Sequence, residues 1–132
     1  MVICKPDAVE RRLVGEIIRR IEAEGLSLAA AELRLLATET LDRHYEEHLG
    51  KPFYEDLVMF MSRSPSMLLV VEGASETHLK VRAIMGATDP AKADPGTIRG
   101  DLGTGRLPEN LVHGSDSAES AEREIAIFFP GL

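Results

Sequence analysis

The sequence predicts an α+β fold of the split βαβ kind, a small sheet whose strands are separated by helices. Three observations predict it. Strand-like and helix-like stretches follow the order β-α-β, two helices, β-α, a long irregular segment, β-α. Met67-Leu-Leu-Val-Val71 is a continuous apolar run, as a buried strand requires. Val14, Ile17, Ile18 and Ile21 fall at i, i+3, i+4 and i+7, one apolar face of a helix. Such a sheet is expected to have one face covered, leaving strand ends and the irregular segment free for a ligand.

At 132 residues the chain has room for one domain with a core, so residues 1–132 are read as a single unit. The net charge of −7 argues against nonspecific binding to nucleic acid or to an anionic membrane. A lone cysteine, Cys4, makes no internal disulfide and no zinc cluster, which fits a reducing compartment. No apolar run approaches the roughly 18 residues of a membrane span. Only Met1 to Cys4 precede Lys5, too little for a leader peptide, so a cytoplasmic protein is expected.

Taken in order, Val2-Ile-Cys4 is a short strand that Pro6 ends, placing Lys5 at a strand mouth. The Val14–Ile21 helix closes at Gly25, which suits the residue after a helix C-cap. From Leu26 to Leu36, Leu26 and Leu28 alternate in one phase and Leu33 and Leu35 in the other, which predicts a bulge near Ala29–Ala31. Thr38 is placed to cap a helix through Leu41, His44, Tyr45 and His48, and Pro52 separates it from a second helix through Leu57, Phe60 and Met61. His44 and His48 have metal-ligand spacing but no third ligand, so a solvated helix face is expected for them. After the Met67–Val71 strand, a helix starts at Ser75 or Glu76 with Leu79, Ala83 and Ile84 inward.

Between Gly86 and Glu109 the periodicity vanishes among Gly86, Pro90, Pro95, Gly96, Gly100, Gly103, Gly105 and Pro108. A segment this long without pattern usually covers or lines a site. Asn110-Leu-Val-His113-Gly-Ser-Asp-Ser117 follows, a strand end running into a last helix over Ser117 to Phe129. Asp116 with Glu119 reads as its capping box. Ala118, Ala121, Ile125 and Phe128 form one face of that helix.

Strand ends and the long segment can bring together Lys5, Arg82, Thr88, Arg99, Asn110, His113 and Ser115. Three cations, hydroxyls and an amide suit a polyphosphate. Arginine forks neutralise phosphoryl oxygens, and a neutral imidazole is a nucleophile near neutral pH. Glu124, two turns into the last helix, is placed to reach back and orient the His113 ring. No Walker A loop or dinucleotide fingerprint is present, so side chains would hold the phosphates. A hydrolase-like set of His113, Ser115 and Asp116 is the weaker reading, because neighbours on one turn do not line up as a triad. A binding module without chemistry is the other; low aromatic content and acidic charge disfavour RNA for it.

Several stretches carry a resemblance: Lys5-Pro-Asp-Ala-Val9, Val14-Gly-Glu-Ile-Ile18, His44-Tyr45, Lys51-Pro-Phe53, Gly86-Ala-Thr88-Asp-Pro90, Pro95-Gly-Thr-Ile-Arg-Gly-Asp101 and Asn110–Ser117. In order and spacing, over nearly the whole chain, they are similar to the motifs of nucleoside diphosphate kinases. The resemblance implies a ferredoxin-like βαββαβ antiparallel sheet with helices on one face, an inserted helix pair and a long loop before the last strand. It implies ping-pong transfer of a γ-phosphate, mainly from ATP, to nucleoside diphosphates through a phosphohistidine at His113. Glu124, Ser115 and Tyr45 would surround the ring. Lys5, Arg82, Thr88 and Arg99 would hold phosphates, Asn110 the ribose and phosphate end, and Phe53 would stack on the base. Mg²⁺ would arrive with the nucleotide, and the chain would form a homo-oligomer, a tetramer or hexamer. The family pattern is interrupted at Arg63-Ser64, at Pro108-Glu109, and by one extra residue between Gly73 and Arg82. A nucleotide-binding relative with impaired catalysis is the alternative.

Overall fold

In the computed structural model, which describes residues 1–104 and 106–132, a three-residue strand lies inside the sheet. Gly105, assigned above to the irregular segment, lies outside the described residues. Strand β1 (Val2–Cys4) pairs on one side with β3 (Ser66–Glu72) and on the other with β4 (Val112–Gly114). The edge strand β2 (Ser27–Arg34) completes the order β2-β3-β1-β4, and every ladder is antiparallel. Short as it is, β1 is held because Val2, Ile3 and Cys4 are each at most 1% exposed.

Alternation along the strands divides the core. Val2, Cys4 and Leu69 point to one side, against Ile17 and Ile21 of α2 (Val14–Ala23), Val81 and Met85 of α5 (Thr77–Met85) and Ile98 of α6 (Ile98–Leu102). These include the two crossover helices of the split βαβ units. Ile3, Leu68 and Val70 point to the other side, against Leu41 of α3 (Thr38–His44), Phe60 and Met61 of α4 (Tyr54–Ser62) and Phe128 of α7 (Ala118–Phe128). The second face, expected to be open, is therefore covered by the inserted helix pair and the last helix. Two buried faces explain why β3 reads as an unbroken apolar run instead of an alternating one.

Most local expectations hold, and the exceptions have local causes. The bulge is present, as the register on β3 slips between Leu28 and Ala30. Gly25 takes a left-handed φ of 82°, which closes α2 without a Cβ penalty. In α7 the cap is Ser117, whose Oγ accepts from Ser120 N at 3.0 Å, one residue later than the Asp116–Glu119 pairing predicts. Thr38 is the first residue of α3 and not its cap; Ala37 stands at the cap position without a side-chain bond. In α5, Ile84 packs against the core as expected, but the fully buried positions are Val81 and Met85, and Leu79 is 52% exposed. Two short helices escape the periodicity signal: α1 (Pro6–Glu10), with proline at its start, and α6, capped by Thr97 Oγ1 on Gly100 N. Both are single five-residue turns, too short to show a repeating apolar stripe.

The sheet register decides what surrounds His113. His113 pairs with Ile3, and residues paired across a ladder point the same way. His113 therefore faces the side that α3 and α7 cover, while Val112 and Gly114 face α5. Gly114 allows the close approach of α5: a Cβ there would lie 2.9 Å from Met85 Sδ.

Candidate active site

A cleft of about 670 Å³ opens at the β1 and β4 ends, between the C-terminal end of α3, α5, α6 and the start of α7. Of the residues singled out in the sequence, Lys5, Tyr45, Arg82, Thr88, Arg99, Asn110, His113 and Glu124 line it. Ser115 is buried behind Glu124. Phe53 is not among the lining residues. It is 47% exposed, and its ring stands 5.3 Å from that of His48, which does line the cleft.

The histidine is oriented from α7. Glu124 Oε1 lies 2.7 Å from His113 Nε2 and accepts from Ser115 Oγ at 2.8 Å. Burial pushes the Glu124 carboxyl upward, but hydrogen bonds and charge from His113 and the Ser115 hydroxyl outweigh it and hold the group below its ordinary range. An ionised carboxylate only accepts, so Nε2 carries the proton and the Nδ1 lone pair is the free one. The two roles of the ring are thereby separated.

The cation side is tied into the scaffold. Lys5 Nζ donates to Asn110 Oδ1 at 2.7 Å, while Asn110 Nδ2 donates to Thr88 O at 2.9 Å. Burial, followed by the Arg99 charge, lowers the Lys5 ammonium to about 8, with Asp7 opposing. Arg99 is 6% exposed and donates to three carbonyls: Asn110 O at 3.0 Å, Gly86 O at 2.9 Å and Val112 O at 2.6 Å. Among the described residues these bonds leave two of its five N–H groups for a ligand. Burial, then Arg82, lowers its guanidinium to about 10. Arg82 and Thr88, in contrast, are exposed at the cleft wall.

Leu111 turns the chain from this cluster into β4. Its φ of 71° lies in the left-handed region, unusual for a leucine. The conformation is held from both sides: Lys5 N donates to Leu111 O at 2.8 Å, and Leu111 N donates to Asp7 Oδ2 at 3.1 Å. Burial raises the Asp7 carboxyl, with the Leu111 amide and Lys5 opposing. Strained backbone that surrounding bonds over-determine is typical of a site that must hold its geometry.

His44 is the residue that the sequence misplaces. Expected on a solvated face, it is 7% exposed and packs edge-on against His113, ring centroids 4.9 Å apart. It also touches Tyr45 at 4.4 Å and Phe128 at 5.2 Å. Neither of its ring nitrogens has a hydrogen-bond partner among the described residues. Burial, then the His113 charge, lowers it to about 3, so it is a neutral imidazole. Burial also raises the Tyr45 hydroxyl. The signal available in sequence was the His-Tyr pair itself, at a helix end next to Leu41.

Among the described residues no group of three His, Cys, Asp or Glu side chains is arranged to hold a metal ion. The site is instead a tethered imidazole facing a cationic wall, a geometry for anionic phosphoryl groups. Among the described residues no helix is long and apolar enough to cross a membrane.

Comparison with known proteins gives the same answer. The family model for nucleoside diphosphate kinase matches residues 1–132. The nucleoside diphosphate kinase of Streptomyces coelicolor is 58% identical over 132 residues, covering 99% of this chain and 95% of that protein. That of Thermobifida fusca is 52% identical, covering 100% and 96%. The solved structure of a halophilic nucleoside diphosphate kinase from Halobacterium salinarum in complex with CDP superposes with a TM-score of 0.92 at 45% identity, covering 97% of this chain and 84% of that one. A nucleoside diphosphate kinase family protein from Babesia bovis gives 0.92 at 42%, covering 97% and 85%. With its ferredoxin-like sheet and a family-model match that runs the length of the chain, the chain belongs to the nucleoside diphosphate kinase family.

Proposed function

We propose that this nucleoside diphosphate kinase, a phosphotransferase working by two successive half-reactions, carries the phosphoryl group on Nδ1 of His113. The observation that carries the assignment is the 2.7 Å contact of His113 Nε2 with Glu124 Oε1, which leaves Nδ1 as the free nucleophile. In the first half-reaction the Nδ1 lone pair forms a bond to the γ-phosphorus of a nucleoside triphosphate, chiefly ATP. The bond from that phosphorus to the β,γ-bridging oxygen breaks, and the diphosphate leaves with the electron pair. Glu124 supports the positive charge that spreads over the ring, and Ser115 holds Glu124. In the second half-reaction a terminal oxygen of another nucleoside diphosphate attacks the same phosphorus, and the N–P bond returns its pair to Nδ1.

Lys5, Arg82, Thr88 and the two spare N–H groups of Arg99 face the phosphates, and Asn110 the ribose and phosphate end. Tyr45 and neutral His44 close the side of the His113 ring. Mg²⁺ would fit this site without a protein cage, since no three-carboxylate or histidine cluster is built among the described residues: nucleotide phosphates and water would hold it, and it would neutralise charge on the phosphates beside Lys5, Arg82 and Arg99. Nucleoside triphosphates and diphosphates are the partners, and nucleic acid and membrane are not. The chain itself would associate as a tetramer or hexamer. Leu33 and Leu35, 55% and 60% exposed along and just beyond the edge strand β2, support association with further copies. Buried Cys4 fits a reducing cytoplasm.

Transfer of label from γ-labelled ATP with Mg²⁺, and chase of that label onto GDP, tests the activity. The label on the protein is expected to be acid-labile and alkali-stable; a protein that never labels contradicts the proposal. Phe53→Ala is expected to raise KM roughly tenfold by removing a base platform worth about 1–3 kcal/mol. A larger effect on transfer at saturating nucleotide would contradict that role. The pH profile offers a further check. With the Lys5 ammonium at about 8, the free enzyme loses a phosphate-binding charge as pH rises through that value. Bound phosphate favours the charged form, so kcat/KM should fall above about pH 8 before kcat does. A Lys5→Arg variant, charged throughout, should lose that limb; an unchanged limb would assign it elsewhere.

A further inference from the structure

The segment leading to Asn110 is held from two directions. On its inner side Pro108 O accepts from Asn110 N at 2.8 Å and lies 3.5 Å from Lys5 Nζ. On its outer side the Glu109 carboxylate accepts from Arg63 Nη2 at 3.0 Å. Arg63, just past the end of α4, does not line the cleft. Its guanidinium is itself fixed. Glu10 of α1 takes Arg63 Nε at 3.0 Å and Nη2 at 2.7 Å, and Ser64 Oγ donates to the same Glu10 at 2.6 Å. The guanidinium also stands 4.9 Å over the ring of Phe60, which is 6% exposed in the core. One side chain thus joins the ends of α1 and α4 to the approach segment. Both α1 and that segment lead directly to cleft residues: Lys5 immediately precedes α1, and Asn110 immediately follows Glu109.

We propose that Arg63 is a positioning residue for nucleotide binding: by bridging Glu10 and Glu109 it fixes the approach segment so that Asn110 and Lys5 keep their places in the cleft. The inference rests on Asn110 and Lys5 as nucleotide contacts. Arg63, Glu10 and Glu109 have 41%, 38% and 35% of their side chains exposed. Pairs this accessible add little to global stability, so the clamp acts on where the segment sits and not on whether the protein folds. It also weakens with salt, because exposed charges are screened.

The experiment measures KM and kcat for a nucleoside diphosphate acceptor in the full-length protein carrying Arg63→Met, Arg63→Lys, Glu109→Gln, the Met/Gln double change, or Asn110→Ala. Methionine keeps an apolar stem over Phe60. Arg63→Met and Glu109→Gln are each expected to raise KM about fivefold, with kcat within about twofold. The double variant should be no worse than either single, and Arg63→Lys should recover part of the loss. The gap between wild type and Arg63→Met should close as salt approaches about 1 M. Thermal midpoints should stay close to wild type. An unchanged KM in Arg63→Met beside a raised KM in Asn110→Ala overturns the clamp alone. Additive effects of the two single changes also overturn it, as does a loss of kcat that tracks thermal stability. An unchanged KM in Asn110→Ala overturns the placement of the nucleotide, and the clamp with it.

Discussion

His113→Ala is expected to abolish the phosphoenzyme and to lower transfer by at least about a thousandfold, because it removes the imidazole that Glu124 orients as the nucleophile. The fold should survive the change. His113 is 24% exposed, and Glu124 keeps its bond to Ser115 when the imidazole is removed. Thermal melting within a few degrees of wild type, together with no label from γ-labelled ATP, is the predicted pair of results. Equal labelling of the variant would move the nucleophile elsewhere. Glu124→Gln separates orientation from nucleophilicity. The amide is neutral and stabilises a charged ring less well, so label should still form, more slowly. The same pair predicts an acid limb. The Glu124 carboxyl is held below its ordinary range, so its charge is present at neutral pH and is lost as pH falls through the lowered value. Activity should therefore decline on acidification, and an acid limb that persists in Glu124→Gln would trace it to another group.

Much of this site was legible in the sequence because each element carried its own signal. β3 was an unbroken apolar run, α2 had a clean helical stripe, and the Asn110–Ser117 stretch combined a strand end with a histidine and a helix start. What was not legible depends on contacts between distant segments. Apart from its neighbour Tyr45, the helix pattern does not distinguish His44, at an end turned inward, from a solvated histidine; the packing of α3 against α7 buries it. The second covered face of the sheet follows from the same packing. Arg99 could be read as a phosphate ligand by type, but its three carbonyl partners come from Gly86, Asn110 and Val112, and their convergence exists only in the fold. Glu109 looked like a foreign residue beside the most family-like segment. Its partner Arg63 is 46 residues away, and each of the two departures becomes intelligible once the other is seen.

Arg99 should show the largest effect on stability of the residues around the cleft, and Arg99→Lys is the informative change. It keeps the charge and removes the fork. Lysine has three donors on one compact nitrogen, whereas the carbonyls of Gly86, Asn110 and Val112 are reached by three different guanidinium nitrogens. One or two of these carbonyls are then left without a partner, each at about 1–3 kcal/mol. The expected loss is about 3 kcal/mol, seen as a lower urea midpoint and a fall in Tm of roughly 10 °C. Function should suffer beyond that. The freed carbonyls belong to the segments that hold Thr88, Asn110 and His113, so KM should rise more than tenfold even at temperatures where the variant is fully folded. A variant that melts within about 2 °C of wild type would mean that those carbonyls find other donors. A variant that is destabilised yet binds nucleotide normally would confine Arg99 to folding, and the phosphate wall would then rest on Lys5, Arg82 and Thr88.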